Sequence, residues 1–275
     1  METLRWIDTA VCLGNGQSRQ GLDLNKLKKY STVIGCNAIY RDFEPDILVA
    51  LDSRMSHEIY RSGYAQKNLC YLGYWTPIPS VVGDFMIADK WYGKGEIDNE
   101  PNGCENVVYH GADGVFTLNV KVKKGESVGI SYITGVKPGD KVTDIDPKVE
   151  NFAYATGSRS VYLACELNAK EVYLVGHDLY SDNNKVNNIY AGSKSYAEKD
   201  ALAARPDNPD ETYNWILQHK NTFNKFKYVK FYKVNLNTIG TTQIDCEIDE
   251  WKECDNVEYI TQKEMVKSLD KTTKR

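Results

Sequence analysis

Several features that would classify this chain at once are missing from it. Its seven cysteines are odd in number and include no Cys-x-x-Cys pair, so neither a zinc ribbon nor a dithiol redox site is indicated. Several lie in apolar runs (Val11-Cys12-Leu13, Ile34-Gly35-Cys36), where free buried thiols are usual, and a reducing, cytosolic setting follows. No apolar stretch approaches the roughly 20 residues that span a bilayer. The N-terminus lacks a basic segment followed by an apolar one, so no signal peptide is expected. The expectation is a soluble cytoplasmic protein with no membrane span. Charge of one sign is also lacking: 34 Lys plus Arg against 38 Asp plus Glu leave a net charge of -4, with no protein-wide field for gripping nucleic acid. Histidine is scarce, four in all, and no His-x-x-x-His, Glu-x-x-His or carboxylate cluster marks a metal site. Neither Gly-x-Gly-x-x-Gly nor a Walker A loop occurs, which excludes the commonest dinucleotide and P-loop chemistries.

What is present is an alternation of short apolar runs and amphipathic segments. Thr9–Leu13, Thr32–Cys36, Ile47–Leu51, Asn68–Leu72, Glu171–Val175 and Val229–Val234 read as strands. Leu22–Tyr30, Ser53–Ser62, Gly157–Asn168 and Glu211–Phe226 read as helices between them. Near-continuous apolar strands separated by helices predict an α/β fold with a doubly wound, mainly parallel sheet covered on both faces. The middle, 75–150, holds Pro77, Pro79 and Pro101 and reads as a loop-rich insertion or lid. Within it, Gly114–Val122 and Ser127–Thr134 alternate like a hairpin. One domain over 1–260 is expected, followed by a basic helix or tail at 261–275.

The chemistry-bearing residues collect where strands end. Gly14-Asn15-Gly16-Gln17-Ser18-Arg19 follows the first strand directly, where backbone N–H groups of a doubly wound sheet face a ligand. Glycines there let the main chain approach a phosphate, and Asn15, Ser18 and Arg19 add polar side chains. Asn37 and Asp52 stand just past the second and third strands. Gly176-His177-Asp178 ends a later one and adds an imidazole beside a carboxylate. Each could merely cap a helix or close a turn, but together they mark one sheet edge. His57, His110 and His219 read as structural. Nineteen tyrosines against seven phenylalanines suit a wet, polar pocket or a tyrosine-rich interface.

Taken in order, Gly14-Asn15-Gly16-x-Ser18, Cys36-Asn37, Ala155-Thr156-Gly157 and Lys170-Glu171-Val172-Tyr173-Leu174-x-Gly176-x-Asp178-x-Tyr180 resemble the bacterial lipooligosaccharide sialyltransferases. Those are Rossmann-like, metal-independent enzymes that use CMP-sialic acid. The outline, and Pro45-Asp46-x-x-Val49-x-x-Asp52 in particular, is also similar to a related superfamily of phage and bacterial proteins. That superfamily includes the archaeal hydroxymethyl-dihydropterin pyrophosphokinases. The resemblance covers Thr9–Leu72 and Asn151–Asn235 and leaves the middle unmatched. It implies that Asn15, Asn37 and Thr156, with Gly157 and Ser158 beside it, contact the nucleotide. It further implies that Asp178 and Tyr180 line the donor pocket and that Tyr190 meets the donor phosphate. Ser193 stands where that family has its catalytic histidine, which leaves His177 or Asp178 as the available base.

Three expectations follow. The first is a glycosyltransferase moving a sugar from a CMP-, UDP- or GDP-linked donor to a hydroxyl acceptor, a small molecule or a modified base, with no cofactor. In it the Ser181–Pro209 loop closes over the donor. The second is diphosphate transfer to a hydroxymethyl compound, with Mg²⁺ held by Asp52 or Asp178. The third is an inactive relative that keeps the nucleotide pocket. The setting is the cytoplasm, the host's for a phage-encoded chain, and a homo-oligomer is compatible with all three.

Overall fold

The structure is a computed structural model. It describes residues 7–52, 55, 58–59, 62, 64–65, 67–72, 104–111, 114–121, 142–144, 154–181, 185–196, 198 and 211–272, with 104–111, 114–121 and 142–144 described by backbone course alone. The described strands are β1 (Thr9–Leu13), β2 (Thr32–Cys36), β3 (Ile47–Ala50), β4 (Cys70–Leu72), β5 (Cys104–Gly111), β6 (Gly114–Lys121), β7 (Val142–Asp144), β8 (Glu171–Val175), β9 (Lys230–Asn235) and β10 (Val257–Thr261). The α-helices are α1 (Leu24–Lys28), α2 (Thr156–Glu166), α3 (Glu211–Lys225) and α4 (Gln262–Thr272). The chain divides into two compact units, Met1–Val49 with Ala153–Arg275, and Ala50–Phe152.

The first unit is the α/β sheet that the apolar runs foretell. Its strands lie in the order β10-β9-β8-β1-β2-β3, and each neighbouring pair is parallel. β1 is the centre: Cys12 is level with Ile34 of β2 and with Leu174 of β8. Ala10 through Leu13 have no exposed surface, so both faces of β1 are covered, as a parallel sheet between helices requires. α2 packs across β1, β2 and β8. On that face the Cys12 thiol points at the Ser160 carbonyl, 3.5 Å away, and the Cys36 thiol at the Thr156 carbonyl, 3.8 Å away. Burial pushes the Cys36 thiol up to about 11, so these cysteines are core packing and not nucleophiles.

Helix ends are secured by side chains. Asp23 accepts from the Lys26 amide at 3.1 Å and starts α1. Thr261 and Glu264 form a reciprocal capping box at the start of α4, with contacts of 2.8 and 3.3 Å. Met265 and Leu269 of α4 are buried, so this lysine-bearing helix docks on the unit by an apolar stripe. Asn256 donates to the carbonyls of Phe223, Phe226 and Val229 and so closes the carboxyl end of α3.

In the second unit β4 pairs in parallel with β7, and β5 and β6 form an antiparallel hairpin with Gly111 opposite Gly114. The expected partner of Gly114–Val122 was Ser127–Thr134. Gly114–Lys121 pairs instead with the segment before it, whose connection is two residues long, the shortest that closes a hairpin. Residues 127–134 lie outside those described, as does most of the 75–150 insertion. Of the helix expected at Ser53–Ser62, Met55, Glu58 and Ile59 are described and helical. Among the described residues no helix is long and apolar enough to cross a membrane.

Candidate functional site

The order of the sheet decides where a ligand would meet it. The chain winds outward from β1 to β2 and β3 on one side, and β8, β9 and β10 extend the other. Winding reverses between β1 and β8, and in open α/β sheets ligands bind outside the carboxyl ends of the strands at that reversal. The loops there are Gly14–Arg19 and Gly176–Tyr180.

These two loops are joined to each other. The amide of Gly14 donates to Val175 O at 2.8 Å and that of Gly16 to Gly176 O at 2.9 Å. The Gln17 amide donates to Asn187 Oδ1 at 2.8 Å and the Ser18 amide to Asp178 Oδ2 at 3.0 Å. A Cβ on Gly14 would lie 2.4 Å from Gly176 O, and one on Gly16 would lie 2.4 Å from the Asp178 carboxylate. The glycines therefore serve the close approach of one loop to the other. The amides of Gly14, Gly16, Gln17 and Ser18, expected to cradle a phosphate, are engaged within the protein.

Asp178 is the clamp of this junction. Its Oδ1 accepts from the Ser18 hydroxyl, and its Oδ2 accepts from the Ser18 amide and from Asn187 Nδ2 at 2.9 Å. Both carboxylate oxygens hold loop geometry. Buried Lys233 faces the same carboxylate, with its ammonium on Asn235 Oδ1 at 2.7 Å and Ile244 O at 3.1 Å.

On the outer side of the Gly14–Arg19 loop, two arginines converge on one tyrosine. Arg19 and Arg41 lie 5.7 and 6.0 Å from the centre of the Tyr190 ring, and Arg41 is also 6.0 Å from that of Tyr196. Arg19 is 6% exposed, and its one side-chain hydrogen bond to a described residue runs from Nη2 to Tyr190 Oη at 3.1 Å. It makes no ion pair with any described residue, and its Nε has no partner. Arg41 is tied to Ser193 Oγ and to Lys194 O, both at 2.9 Å. Burial and the Asp42 carboxylate push the Tyr190 phenol up to about 12, so it stays a neutral donor. Asn15 donates to Cys36 O at 3.3 Å and to Tyr196 Oη at 3.2 Å. The Oδ1 atoms of Asn15 and Asn37 are buried and unpartnered.

Backbone strain collects at the same edge. Among the described residues four that are not glycine have positive φ, and three of them (Asn37, Leu179 and Ser195) belong to the segments just named. Such conformations persist where the surroundings over-determine them, commonly at functional sites.

Below Arg19 lies a pair of imidazoles. A Cβ on Gly176 would touch Arg19 Cδ at 3.2 Å, and the next residue is His177. His177 Nδ1 is 3.2 Å from His219 Nε2, and the two rings meet edge to face. Burial first, then His219 and Lys233, drive His177 well below the usual histidine range, while the Cys12 carbonyl works the other way. Burial likewise lowers His219 to about 4. Both are neutral near pH 7, and His177 Nε2 is buried with no partner.

The structure gathers most of the expected site residues. Gly14, Asn15, Gly16, Ser18, Arg19, Asn37, His177, Asp178 and Tyr190 lie together, with the first turn of α2 against them. There Gly157 faces the His177 ring and the Thr156 carbonyl meets Cys36. Ser158 faces inward, its Oγ 3.3 Å from His219 Nδ1. Tyr180 is 36% exposed and its phenol is raised by burial and then by Cys246, Glu250 and Asp249. Asp52 is exposed and belongs to the second unit. The described part of the expected lid, 185–196, is a run of turns tied to the edge through Asn15, Arg19 and Arg41. Arg41, Tyr196 and Asn187 escape the sequence reading, a cation five residues beyond Cys36 being the one local signal for any of them; His219, read as structural, is buried beside His177. No family model, curated protein or solved structure matches this chain.

Proposed function

We propose that the chain is a transferase that takes a sugar from a nucleotide-linked donor and passes it to a hydroxyl acceptor. One observation carries the reading: Arg19 is a buried cation with no anionic partner among the described residues. Burying a guanidinium without a counter-charge costs several kcal/mol, so the site is completed by an anion. A phosphate suits the planar fork of Arg19, with Arg41 and the Tyr190 hydroxyl beside it. The unpartnered oxygens of Asn15 and Asn37 accept from N–H or O–H groups, as a base or a sugar supplies.

The acceptor hydroxyl gives its proton to His177 Nε2 and keeps the O–H electron pair. That oxygen bonds to the sugar carbon as the donor phosphate leaves with the pair of the broken C–O bond. The arginines neutralise the charge that develops on the phosphate. A low-pKa imidazole is a weak base, but it is unprotonated across the physiological range.

Thermal unfolding with CMP-, UDP- and GDP-sugars tests the reading. One class raises Tm in the wild-type protein, by about 2.7 kcal/mol of stabilisation at a hundred times Kd, and the shift disappears in Arg19→Gln. No shift with any class overturns it.

A further inference from the structure

Trp215, His219 and His177 form a chain of hydrogen bonds whose proton positions can be worked out. A carbonyl oxygen only accepts, so the 2.7 Å contact between Trp215 O and His219 Nδ1 places a proton on that nitrogen. Ser158 Oγ, 3.3 Å from the same atom, is compatible as a second acceptor. A neutral His219 then has a bare Nε2, which can only accept. The atom facing it at 3.2 Å is His177 Nδ1, which must therefore carry the proton. A neutral His177 protonated on Nδ1 is bare on Nε2.

The ring is packed closely on two sides. A Cβ on Gly14 would lie 3.1 Å from Cδ2, and one on Gly157 would lie 3.4 Å from Cε1 and 3.6 Å from Nδ1. Nε2 is buried and has no hydrogen-bond partner.

We propose that His219 is a positioning residue: anchored on the Trp215 carbonyl, it fixes His177 as the Nδ1–H tautomer and so leaves Nε2 bare, as a proton acceptor. The inference rests on His177 being the base of the transfer described above, and it adds the residue that sets its state. Without His219 the imidazole would be free to place its proton on Nε2, as the other tautomer, and the base would become a donor. The relay depends on tertiary packing: α3 brings His219 up to the loop that follows β8.

Nitrogen NMR of histidine-labelled protein, without ligand, tests this directly. The wild-type spectrum is expected to show His177 protonated on Nδ1 and bare on Nε2. His219→Gln, whose amide oxygen can accept from Nδ1, retains that form. His219→Leu, which cannot accept, shifts a major fraction of His177 to the Nε2–H form. A wild-type His177 protonated on Nε2 overturns the inference, as does an unchanged tautomer in His219→Leu. The wild-type spectrum decides the matter even where a variant fails to fold. No donor enters the measurement, so it stands or falls separately from the nucleotide-sugar titration.

Discussion

Arg159 and Arg19 are buried to the same degree, 5% and 6% exposed, and are held in opposite ways. Arg159, on α2, donates to Glu166 Oε2 of the same helix at 2.8 Å and lies over the Tyr162 ring at 5.2 Å. Its charge is balanced inside the protein. Arg19 also lies against a tyrosine, but its only side-chain hydrogen bond among the described residues is to a neutral phenol. Its link to a carboxylate is indirect, through Tyr190, whose hydroxyl also meets Asp42. Burial alone therefore does not distinguish the two arginines; the missing counter-charge at Arg19 does.

The largest expected effect separates the two arginines outright. Arg19→Met lowers affinity for the stabilising nucleotide by about a hundredfold or more, since a buried charge-assisted contact of about 3 kcal/mol is lost. The ligand-free protein keeps or gains stability, because an uncompensated charge has gone. Calorimetric titration and denaturant unfolding read both, and a destabilised ligand-free variant with normal binding breaks the comparison.

The imidazoles show a third way of burying a potential cation, which is to release its proton. The folded pKa of His219 is about 4 against 6.5 for the free side chain, so the unfolded chain takes up a proton that the folded chain refuses. Stability is thus intact above pH 6.5 and falls as pH drops toward 4, by about 3 kcal/mol for this group, with His177 acting in the same direction. Urea unfolding across that window measures it, and a flat profile would mean that the pair is charged in the native state. Arg159→Met comes next, costing about 2 kcal/mol of stability with nucleotide affinity unchanged. Glu166→Gln sharpens the contrast further by leaving Arg159 as lonely as Arg19. Its cost is smaller, about 1 kcal/mol, because the Glu166 side chain is 34% exposed and solvent screens the pair.

The sheet was legible because its central strands are apolar on both faces. Thr9–Leu13 and Glu171–Val175 could hardly be anything else. β10 was not: Val257-Glu258-Tyr259-Ile260-Thr261 is partly exposed throughout, an edge strand with no apolar run to announce it. At the site, Asn15, Arg19, Asn37 and His177 stand just past strand ends, where local sequence and fold coincide. Arg41, Tyr196 and His219 reach the same place from other elements, which only the packed chain reveals. The most telling property of Arg19 is a missing partner, and sequence does not record the neighbours a residue lacks. For the glycines, spacing shows that backbone must come close to something, and the fold shows Gly14 approaching Gly176 and Gly16 approaching Asp178.

The junction of the two loops has a consequence for how such a site could evolve. A cradle of main-chain amides is committed to its ligand's geometry, because altering it means altering the fold. Here the amides of Gly14, Gly16, Gln17 and Ser18 already have partners, and on the proposed function recognition would fall to side chains mounted on a finished edge. Side chains are exchanged one codon at a time. On the proposed function, the preference for one donor over another would drift by single substitutions at Asn15, Asn37 or Arg41 while the sheet beneath stays as it is.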